Sequence, residues 1–284
     1  MIDETVEEIR EMQTHSSSVV AVKAAEALRE LLDREFATVE EYVRSLERNA
    51  SALQRAQPSH ASLHNTQREI VSRVEDGEYD TTAAAKAETE TAIDDIVESV
   101  ESAKHEAAMN AVDLLPDGAT VLTHDYSSTV VEAIELAARE GHHIDVYVTE
   151  ARPRYLGRRT ARTLAEIDRV DTTLIVDGAV GHYLDECDRV VLGMSAIVDD
   201  TLYNRVGTFP IATTAAELAV PVSVVGASEK LIDEGFVFEN EFRSPAEVIR
   251  EPAEGFSVAN PAYDATPTHL LDGVVTEVGT EKLE

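Results

Sequence analysis

After residue 118 the sequence alternates short runs of β-branched and apolar residues with stretches of helical periodicity. Strands that follow one another through a helix pair in parallel, joined by right-handed crossovers. This alternation is typical of an α/β domain with a Rossmann-like parallel sheet. The predicted strands are 119–123, 144–149, 172–176, 189–192, 221–225 and 272–276, and the predicted helices between them are 129–140, 158–167, 179–184 and 209–219.

The first part of the chain, up to about residue 115, has a different pattern. It is helical almost throughout and carries very little strand signal. Tyr42, Leu46 and Leu53, for example, lie on one face of a helix that starts at Thr38. A turn at 114–118 ends this region. The sequence therefore predicts a helical N-terminal domain at residues 1–115 and a Rossmann-like α/β domain at 116–284.

The first predicted strand runs directly into a polar turn and then into a helix. Thr123 closes the strand, and Ser128 or Thr129 can cap the helix. Glu132 stands three residues after Thr129, as in a capping box. A helix start of this kind presents free backbone N–H groups and a partial positive charge. The stretch fits a binding site for an anion or sugar phosphate, and equally a capped helix that binds nothing.

Polar residues follow the predicted strands at their carboxyl ends, where open α/β sheets bind ligands. Arg152, Arg205 and Lys230 are cations in a strongly acidic chain, so an anionic ligand is one interpretation. The other is that these cations only offset nearby carboxylates. The candidate ligand-binding residues are Thr123, Ser127, Ser128, Arg152, Ser195, Asn204, Arg205 and Lys230, and the candidate catalytic residues of an active enzyme are Asp125, His124 and Asp177.

The formal net charge of −31 constrains the environment and the partners of the protein. Self-repulsion of this size is screened at about 1 M salt, where the Debye length is roughly 3 Å, so we expect a cytoplasmic protein of a cell with a salt-rich interior. The charge argues against direct binding to nucleic acid or to an anionic membrane. No signal sequence or membrane-spanning run is recognisable, and the single cysteine, Cys187, is expected to be a buried, inert thiol.

Five motifs, in order along the chain, resemble one family of proteins. They are LTHDYSSTV at 122–130, VYVTEARPRYLGRRTA at 146–161, TLIVDGAVGHYLDECDRVVLG at 173–193, NRVGT at 204–208 and NPAYDATPTHLLDGVVTEVG at 260–279. The family comprises the alpha, beta and delta subunits of translation initiation factor 2B and two related isomerases, which act on ribose-1,5-bisphosphate and methylthioribose-1-phosphate. The resemblance implies a helical N-terminal region, a Rossmann-like C-terminal domain and dimerisation through that domain.

The chain departs from the isomerases of this family at positions that carry their chemistry. The isomerases have a cysteine at the position of Asp125 and an aspartate at the position of Ser195, and both shuttle protons between the sugar carbons. An aspartate lacks the polarisable sulfur of a thiol, and a serine cannot act as a carboxylate acid or base. An Arg-Pro-Thr motif of the isomerases is matched by Gln-Pro-Ser at 57–59, and an Arg-Gly-Ala motif by His-Ser-Ser at 15–17.

These replacements favour a non-catalytic member that resembles the regulatory subunits of the initiation factor. Such a protein is expected to form a homodimer, to retain a pocket for a phosphorylated small molecule, and to have a translation initiation GTPase subunit as partner. The alternative is an aldose–ketose isomerase of the ribose-1,5-bisphosphate type with a rearranged site, in which Asp125 is the base and Asp177 or His124 its partner. A third hypothesis is a purely structural module.

Neither a cofactor nor a metal is expected. The pair His142 and His143 follows the helix-stopping Gly141 and is interpreted as a surface turn. Nothing nearby in the sequence completes a set of metal ligands around it.

Overall fold

The computed structural model describes residues 2–11, 17–232, 238–251 and 254–283. The chain divides into two compact units, one within residues 1–102 and the other within 103–284. This division falls inside the helix Thr82–Asn110, and the domain boundary at 115/116 stays a prediction from the sequence. Residues 15 and 16, which stand in place of the Arg-Gly-Ala motif, lie outside the described residues. The described helices include none with the length and apolar character that crossing a membrane requires.

The first unit is built from helices, as its periodicity predicts. The side chain of Thr38 caps one of them by accepting a hydrogen bond from the backbone N–H of Glu41 at 3.2 Å. Tyr42, Leu46 and Leu53 on this helix are fully buried in one apolar core, which confirms the predicted stripe. The helices are α1 (Ile2–Glu11), α2 (Ser17–Ala27), α3 (Val39–Gln54), α4 (Ala61–Glu75) and α5 (Thr82–Asn110).

The second unit alternates strands and helices. Its helices are α6 (Ser128–Arg139), α7 (Gly157–Leu164), α8 (Val180–Tyr183) and α9 (Thr208–Leu218). Its strands are β1 (Ala119–Thr123), β2 (Ile144–Thr149), β3 (Val170–Ile175), β4 (Arg189–Gly193), β5 (Ala196–Val198), β6 (Thr201–Arg205), β7 (Val222–Val225), β8 (Leu231–Ile232), β9 (Tyr263–Pro267), β10 (Gly273–Thr276) and β11 (Gly279–Lys282).

A seven-stranded sheet with the order β11-β10-β7-β4-β1-β2-β3 forms the centre of this unit. All of its neighbouring pairs are parallel except β10 with β11. All six strands predicted from the sequence are present in it, so the predicted α/β fold class is confirmed. A second sheet, β8-β5-β6-β9, carries Asn204 and Arg205 at the end of β6 and is not foreseen from the sequence.

The seven-stranded sheet has an apolar core on each of its two faces. Val121 belongs to one core and its neighbour Leu122 to the other, because successive residues of a strand point to opposite faces. Ile134 of α6 packs in the first core and Ile211 of α9 in the second. Each such side chain contributes roughly 1.5–3 kcal/mol when it is fully buried. The helices therefore hold β1 rigidly from both sides, and residues at its carboxyl end are fixed in space.

The cap of α6 differs from the prediction by one residue. Ser127, rather than Ser128 or Thr129, is the N-cap, and its Oγ accepts a hydrogen bond from the backbone N–H of Val130 at 3.3 Å. Ser127 packs directly against Gly193 at the end of β4, where an added Cβ would lie 2.5 Å from the Cβ of the serine. The contact between Ser127 and Gly193 joins residues far apart in the sequence, so the local sequence does not reveal it.

Cys187, two residues before β4, is a buried thiol, as the sequence predicts. Burial, reinforced by the charges of Glu186 and Asp188, raises the pKa of the thiol to about 12. We expect iodoacetamide to alkylate the folded protein at about pH 8 roughly a thousandfold more slowly than the unfolded chain, because only the thiolate reacts. Mass spectrometry of time-quenched samples measures both rates, and equal rates would contradict a buried thiol.

Candidate active site

Residues that follow β1, β2 and β6 line one small cavity in the second unit. Its volume is about 20 Å³, room for about one water molecule. Four arginines are gathered here, although the chain has only 24 basic residues against 55 acidic ones. The arrangement suits a ligand that carries negative charge. The polar and charged residues of the lining are His124, Asp125, Arg152, Arg154, Arg205, Arg243 and Asn260.

Asp125 presents its carboxylate to this cavity from the turn directly after β1. Its backbone is left-handed, with φ 63°, a conformation that Asp tolerates better than most residues. The hydroxyl of Thr160 donates a hydrogen bond to the backbone oxygen of Asp125 at 2.6 Å and holds the turn in place. The side chain of Asp125 is 11% exposed, and its Oδ2 lies 3.3 Å from Nε of Arg205. The carboxylate is therefore oriented and largely shielded from water.

Arg205 is the cationic partner of this carboxylate. Burial alone would lower the pKa of its guanidinium, but electrostatic attraction to Tyr263 and to the carboxylates of Asp125 and Glu241 outweighs burial and raises it. The guanidinium also lies over the ring of Tyr263, 4.8 Å from the ring centroid. Arg205 thus stays charged next to Asp125, where it can stabilise a second negative charge that develops nearby.

Arg154 and Arg243 add two further guanidinium groups to the cavity wall. Burial lowers the pKa of both, and repulsion lowers it further, from Arg243 on Arg154 and from Arg205 on Arg243. Nε of Arg154 lies 3.5 Å from Glu247, and Nη2 of Arg243 lies 3.0 Å from Glu241. Four arginines at this cavity thus have the carboxylates of one aspartate and two glutamates as partners. A multiply charged anion would reduce the repulsion among the arginines.

His124 is held at both ring nitrogens. Its Nε2 lies 2.9 Å from the backbone oxygen of Val206, and because a carbonyl can only accept, Nε2 carries the proton. Its Nδ1 lies 2.6 Å from the hydroxyl of Thr149. The ring packs on Gly207, where a Cβ would lie 2.7 Å from it. The imidazole is therefore a fixed part of the cavity wall, with its donor engaged by the backbone.

Asp177, which follows β3, fixes the loop that carries Arg152. Its two carboxylate oxygens each accept a backbone hydrogen bond at 2.7 Å, one from Ala151 and one from Arg152. Asp177 is not among the described residues that line the cavity. The guanidinium of Arg152 donates in turn to the backbone oxygen of Val248 at 3.2 Å. Asp177, which the sequence offers as a proton partner, thus has both carboxylate oxygens hydrogen-bonded to the backbone.

The other predicted ligand-binding residues do not line the cavity among the described residues. Ser195 donates to the side-chain oxygen of Asn204 at 3.0 Å, and Asn204 donates to Thr208 at 3.2 Å, which holds the segment that carries Arg205. Lys230 is buried, and burial lowers its pKa. The predicted residues that are not among the described residues of the cavity lining are Thr123, Ser127, Ser128, Ser195, Asn204 and Lys230.

Three polar or charged residues of the cavity wall are missing from the sequence prediction: Arg154, Arg243 and Asn260. Arg154 stands two residues after Arg152 in the second motif, and Asn260 opens the fifth motif, so both could have been selected. Arg243 lies in a stretch without helical or strand periodicity, and no local signal marks it.

A separate cluster corrects the expectation that nothing completes a metal site near His142 and His143. Potential ligand atoms of His143, Asp145 and Asp171 lie within 4.8 Å of one another, and all three residues are exposed. Asp145 and Asp171 are paired neighbours on β2 and β3, and His143 Nε2 lies 2.8 Å from Asp171 Oδ2. A hydrogen bond between an exposed histidine and an exposed aspartate explains this contact, and the absence of a metal stays a prediction.

A sequence profile described as the initiation factor 2 subunit family matches residues 13–282. The chain belongs to this family. The family resemblance inferred from the five motifs is thereby confirmed over nearly the whole length of the chain.

Solved structures show the same fold. Translation initiation factor eIF-2B from Pyrococcus horikoshii OT3 is similar with a TM-score of 0.84 and 24% identity, over 98% of this chain and 96% of that one. The tetrameric eIF2B-beta2-delta2 complex from C. thermophilum contains a chain that is similar with a TM-score of 0.78 and 19% identity, over 99% of this chain and 90% of that one. The second comparison shows that members of the family occur in oligomeric complexes.

Curated relatives in the family correct the main functional prediction. Ribose 1,5-bisphosphate isomerase from Haloterrigena turkmenica is 34% identical over 97% of this chain and 88% of its own length, and the one from Methanocaldococcus jannaschii is 32% identical over 98% and 91%. Six archaeal relatives that carry this name are 30–34% identical to the chain. These relatives contradict the hypothesis of a non-catalytic regulatory subunit, which rests on the residues at 125 and 195, and favour the isomerase alternative.

Proposed function

We propose that this protein is a sugar-phosphate isomerase of the ribose 1,5-bisphosphate type and that Asp125 is the base that moves the proton. One observation carries the proposal: a shielded carboxylate lies 3.3 Å from the guanidinium of Arg205 in a cavity faced by four arginines. The names of the six archaeal relatives support the same substrate class.

The chemistry needs one base and a stabilised negative charge. Isomerisation breaks the bond between C1 and the ring oxygen, which takes up a proton, and removes the proton from C2, which leaves an enol phosphate with O1 still phosphorylated. This intermediate receives a proton at C1 and loses the proton of the C2 hydroxyl, which leaves the carbonyl at C2. A single carboxylate can take the first proton and return it, so Asp125 ends the cycle as it began. In this proposal, negative charge that develops on the C2 oxygen is stabilised by Arg205, which stays protonated throughout.

The remaining arginines would bind the phosphate groups. A guanidinium forms paired hydrogen bonds with a phosphate, and Arg152, Arg154 and Arg243 line the same cavity. His124 and Asp177, which the sequence offers as proton partners, are assigned positioning roles here because their polar atoms are engaged by the backbone and by Thr149. Binding roles for Thr123, Ser127, Ser128, Ser195, Asn204 and Lys230 stay predictions.

The cavity of about 20 Å³ is too small for a sugar bisphosphate, so the proposal requires it to widen on binding. The residues around it come from separate segments, including 151–156 and 241–248, which ion pairs and hydrogen bonds join. When the arginines exchange their contacts with the other segment for contacts with phosphate, the site opens. Each arginine then still has an anionic or polar partner, so little charge pairing is lost.

The test is turnover of ribose 1,5-bisphosphate by the purified protein at about 1 M salt. We expect ribulose 1,5-bisphosphate as product, with the carbonyl carbon at C2 in the ¹³C spectrum. In D₂O, the deuterium content at C1 of the product measures how far the proton held by Asp125 exchanges with solvent before it is returned. Ribose 5-phosphate, which lacks the phosphate at C1, is the control and should not turn over. Protein that binds the bisphosphate and forms no ketose would overturn the proposal.

The proposal also covers the oligomeric state of the protein and the salt concentration in which it works. The family forms oligomeric complexes, and we propose a homodimer through the C-terminal domain for this chain. A cytoplasmic, salt-rich environment is supported by the net charge of −31. The expectation of a translation initiation GTPase partner depends on the regulatory interpretation and stays a prediction.

A further inference from the structure

Residues 241–248, here called the covering segment, contribute Arg243 to the cavity lining and contact other residues of its wall. The start of the segment pairs with residues 260–262 through backbone hydrogen bonds of 2.8 Å. At its end, the guanidinium of Arg152 donates to the backbone oxygen of Val248 at 3.2 Å. The covering segment is therefore attached to the cavity wall at both ends, and its side chains compete with any ligand for the same donors.

Glu247 of the covering segment places a carboxylate where a phosphate would bind. Its Oε1 lies 3.5 Å from Nε of Arg154, and its Oε2 accepts a hydrogen bond from the amide of Asn260 at 3.1 Å. Both partners line the cavity, and Asn260 is only 4% exposed. An incoming phosphate therefore has to displace the carboxylate of Glu247 from Arg154 and Asn260.

This displacement sets a minimum charge for the ligand. A monoanion that replaces one carboxylate gains no Coulomb energy, whereas a dianion gains one unit of charge beside the arginines. Phosphate esters are mostly dianionic at about pH 8, and chloride carries a single charge. The distinction matters for a chain whose net charge of −31 predicts work in concentrated salt, because uncovered arginines would bind chloride.

We infer that Glu247 is a specificity-determining residue that reserves Arg154 and Asn260 for dianionic phosphate groups and excludes monoanions. The inference rests on the proposed function for the identity of the substrate, and it adds a selection step that proton transfer itself does not require. Glu247 touches none of the reacting atoms. It acts indirectly, because its carboxylate occupies Arg154 until a ligand displaces it.

The test compares Glu247→Gln with Glu251→Gln. Glutamine keeps the shape of Glu247 and can still accept from Asn260, but it removes the charge. Glu251 is exposed and makes no hydrogen bond or ion pair with any residue that the structure describes, so its variant is a control for the same change in net charge. Binding of inorganic phosphate is measured by calorimetry in concentrated potassium glutamate, a background without chloride, and then with added chloride.

We expect Glu247→Gln to bind phosphate about fivefold more tightly than wild type, the effect of losing one partly exposed ion pair. Chloride should compete with phosphate in this variant and have no effect on wild type or on Glu251→Gln. If Glu247→Gln binds phosphate no tighter than the control, or more weakly, Glu247 only holds Arg154 in place and the inference is wrong. Because the measurement is binding, missing isomerase turnover would overturn the proposed function and leave this result standing.

Discussion

Asp125→Asn is expected to lower kcat for ribose 1,5-bisphosphate isomerisation about a thousandfold, in the middle of the range for loss of a general base. Asparagine has nearly the same shape and also tolerates the left-handed backbone at φ 63°, so the turn after β1 should persist. It cannot take up the proton from C2. KM should change much less than kcat, since the phosphate-binding arginines remain.

The variant also leaves Arg205 without its carboxylate. Breaking a largely buried ion pair costs about 3 kcal/mol of unfolding free energy, so binding of the bisphosphate must be measured to show that the variant is folded. Asp188→Asn is the matched control. Asp188 accepts a hydrogen bond of 2.8 Å from the backbone of Thr120, near the amino end of β1 and away from the cavity. A kcat of Asp125→Asn within tenfold of the control would exclude Asp125 as the base.

Gly157→Ala is expected to lower the free energy of unfolding by about 3 kcal/mol, the upper end of the cost of overpacking. Gly157 starts α7, and a Cβ at this position would overlap the backbone oxygen of Thr149 at the end of β2. The obstacle is main chain in the sheet, so it cannot rotate away as a side chain can. The loop between them carries Arg152 and Arg154, and we therefore expect phosphate binding to weaken as well.

Gly178→Ala is the control for this substitution. Gly178 lies in the neighbouring loop after β3, and a Cβ there would meet no atom within 4 Å. Denaturant unfolding of both variants at the same salt concentration gives the comparison. Unfolding free energies that agree within about 0.5 kcal/mol would show that the loop after β2 moves to accept the methyl group, contrary to the expectation.

The large sheet is predictable from the sequence because its strands are buried on both faces. Runs such as 189–192 are then almost continuously apolar, and few other structures have that pattern. The smaller sheet is not predictable in the same way. β6 (Thr201–Arg205) alternates buried with half-buried residues and contains a polar Asn204, so its local pattern resembles a loop.

The site is predictable only in part. Arg152 and Arg205 follow predicted strands, and the rule that ligands lie beyond the carboxyl ends of strands selects them. Arg243 joins them through the pairing of residues 241–243 with 260–262, a long-range contact that leaves no periodicity in the sequence. In the isomerase motifs a cysteine stands at the position of Asp125, so the sequence alone suggests that a catalytic residue is missing. The proximity of Asp125 to Arg205, which restores a possible chemistry, appears only in the folded chain.

The two apolar faces of the central sheet also bear on how the chain finds its strand pairing. Where one face of a sheet is polar, a slip of one residue buries polar groups and is rejected. Here a slip of β1 would merely exchange Val121 and Leu122 between two apolar cores. The cost of the slip is instead the loss of the ion pair at the end of the strand, because Asp125 would move away from Arg205. The ion pair between Asp125 and Arg205 therefore favours the correct pairing of β1, so the contacts that build the site also stabilise the strand register.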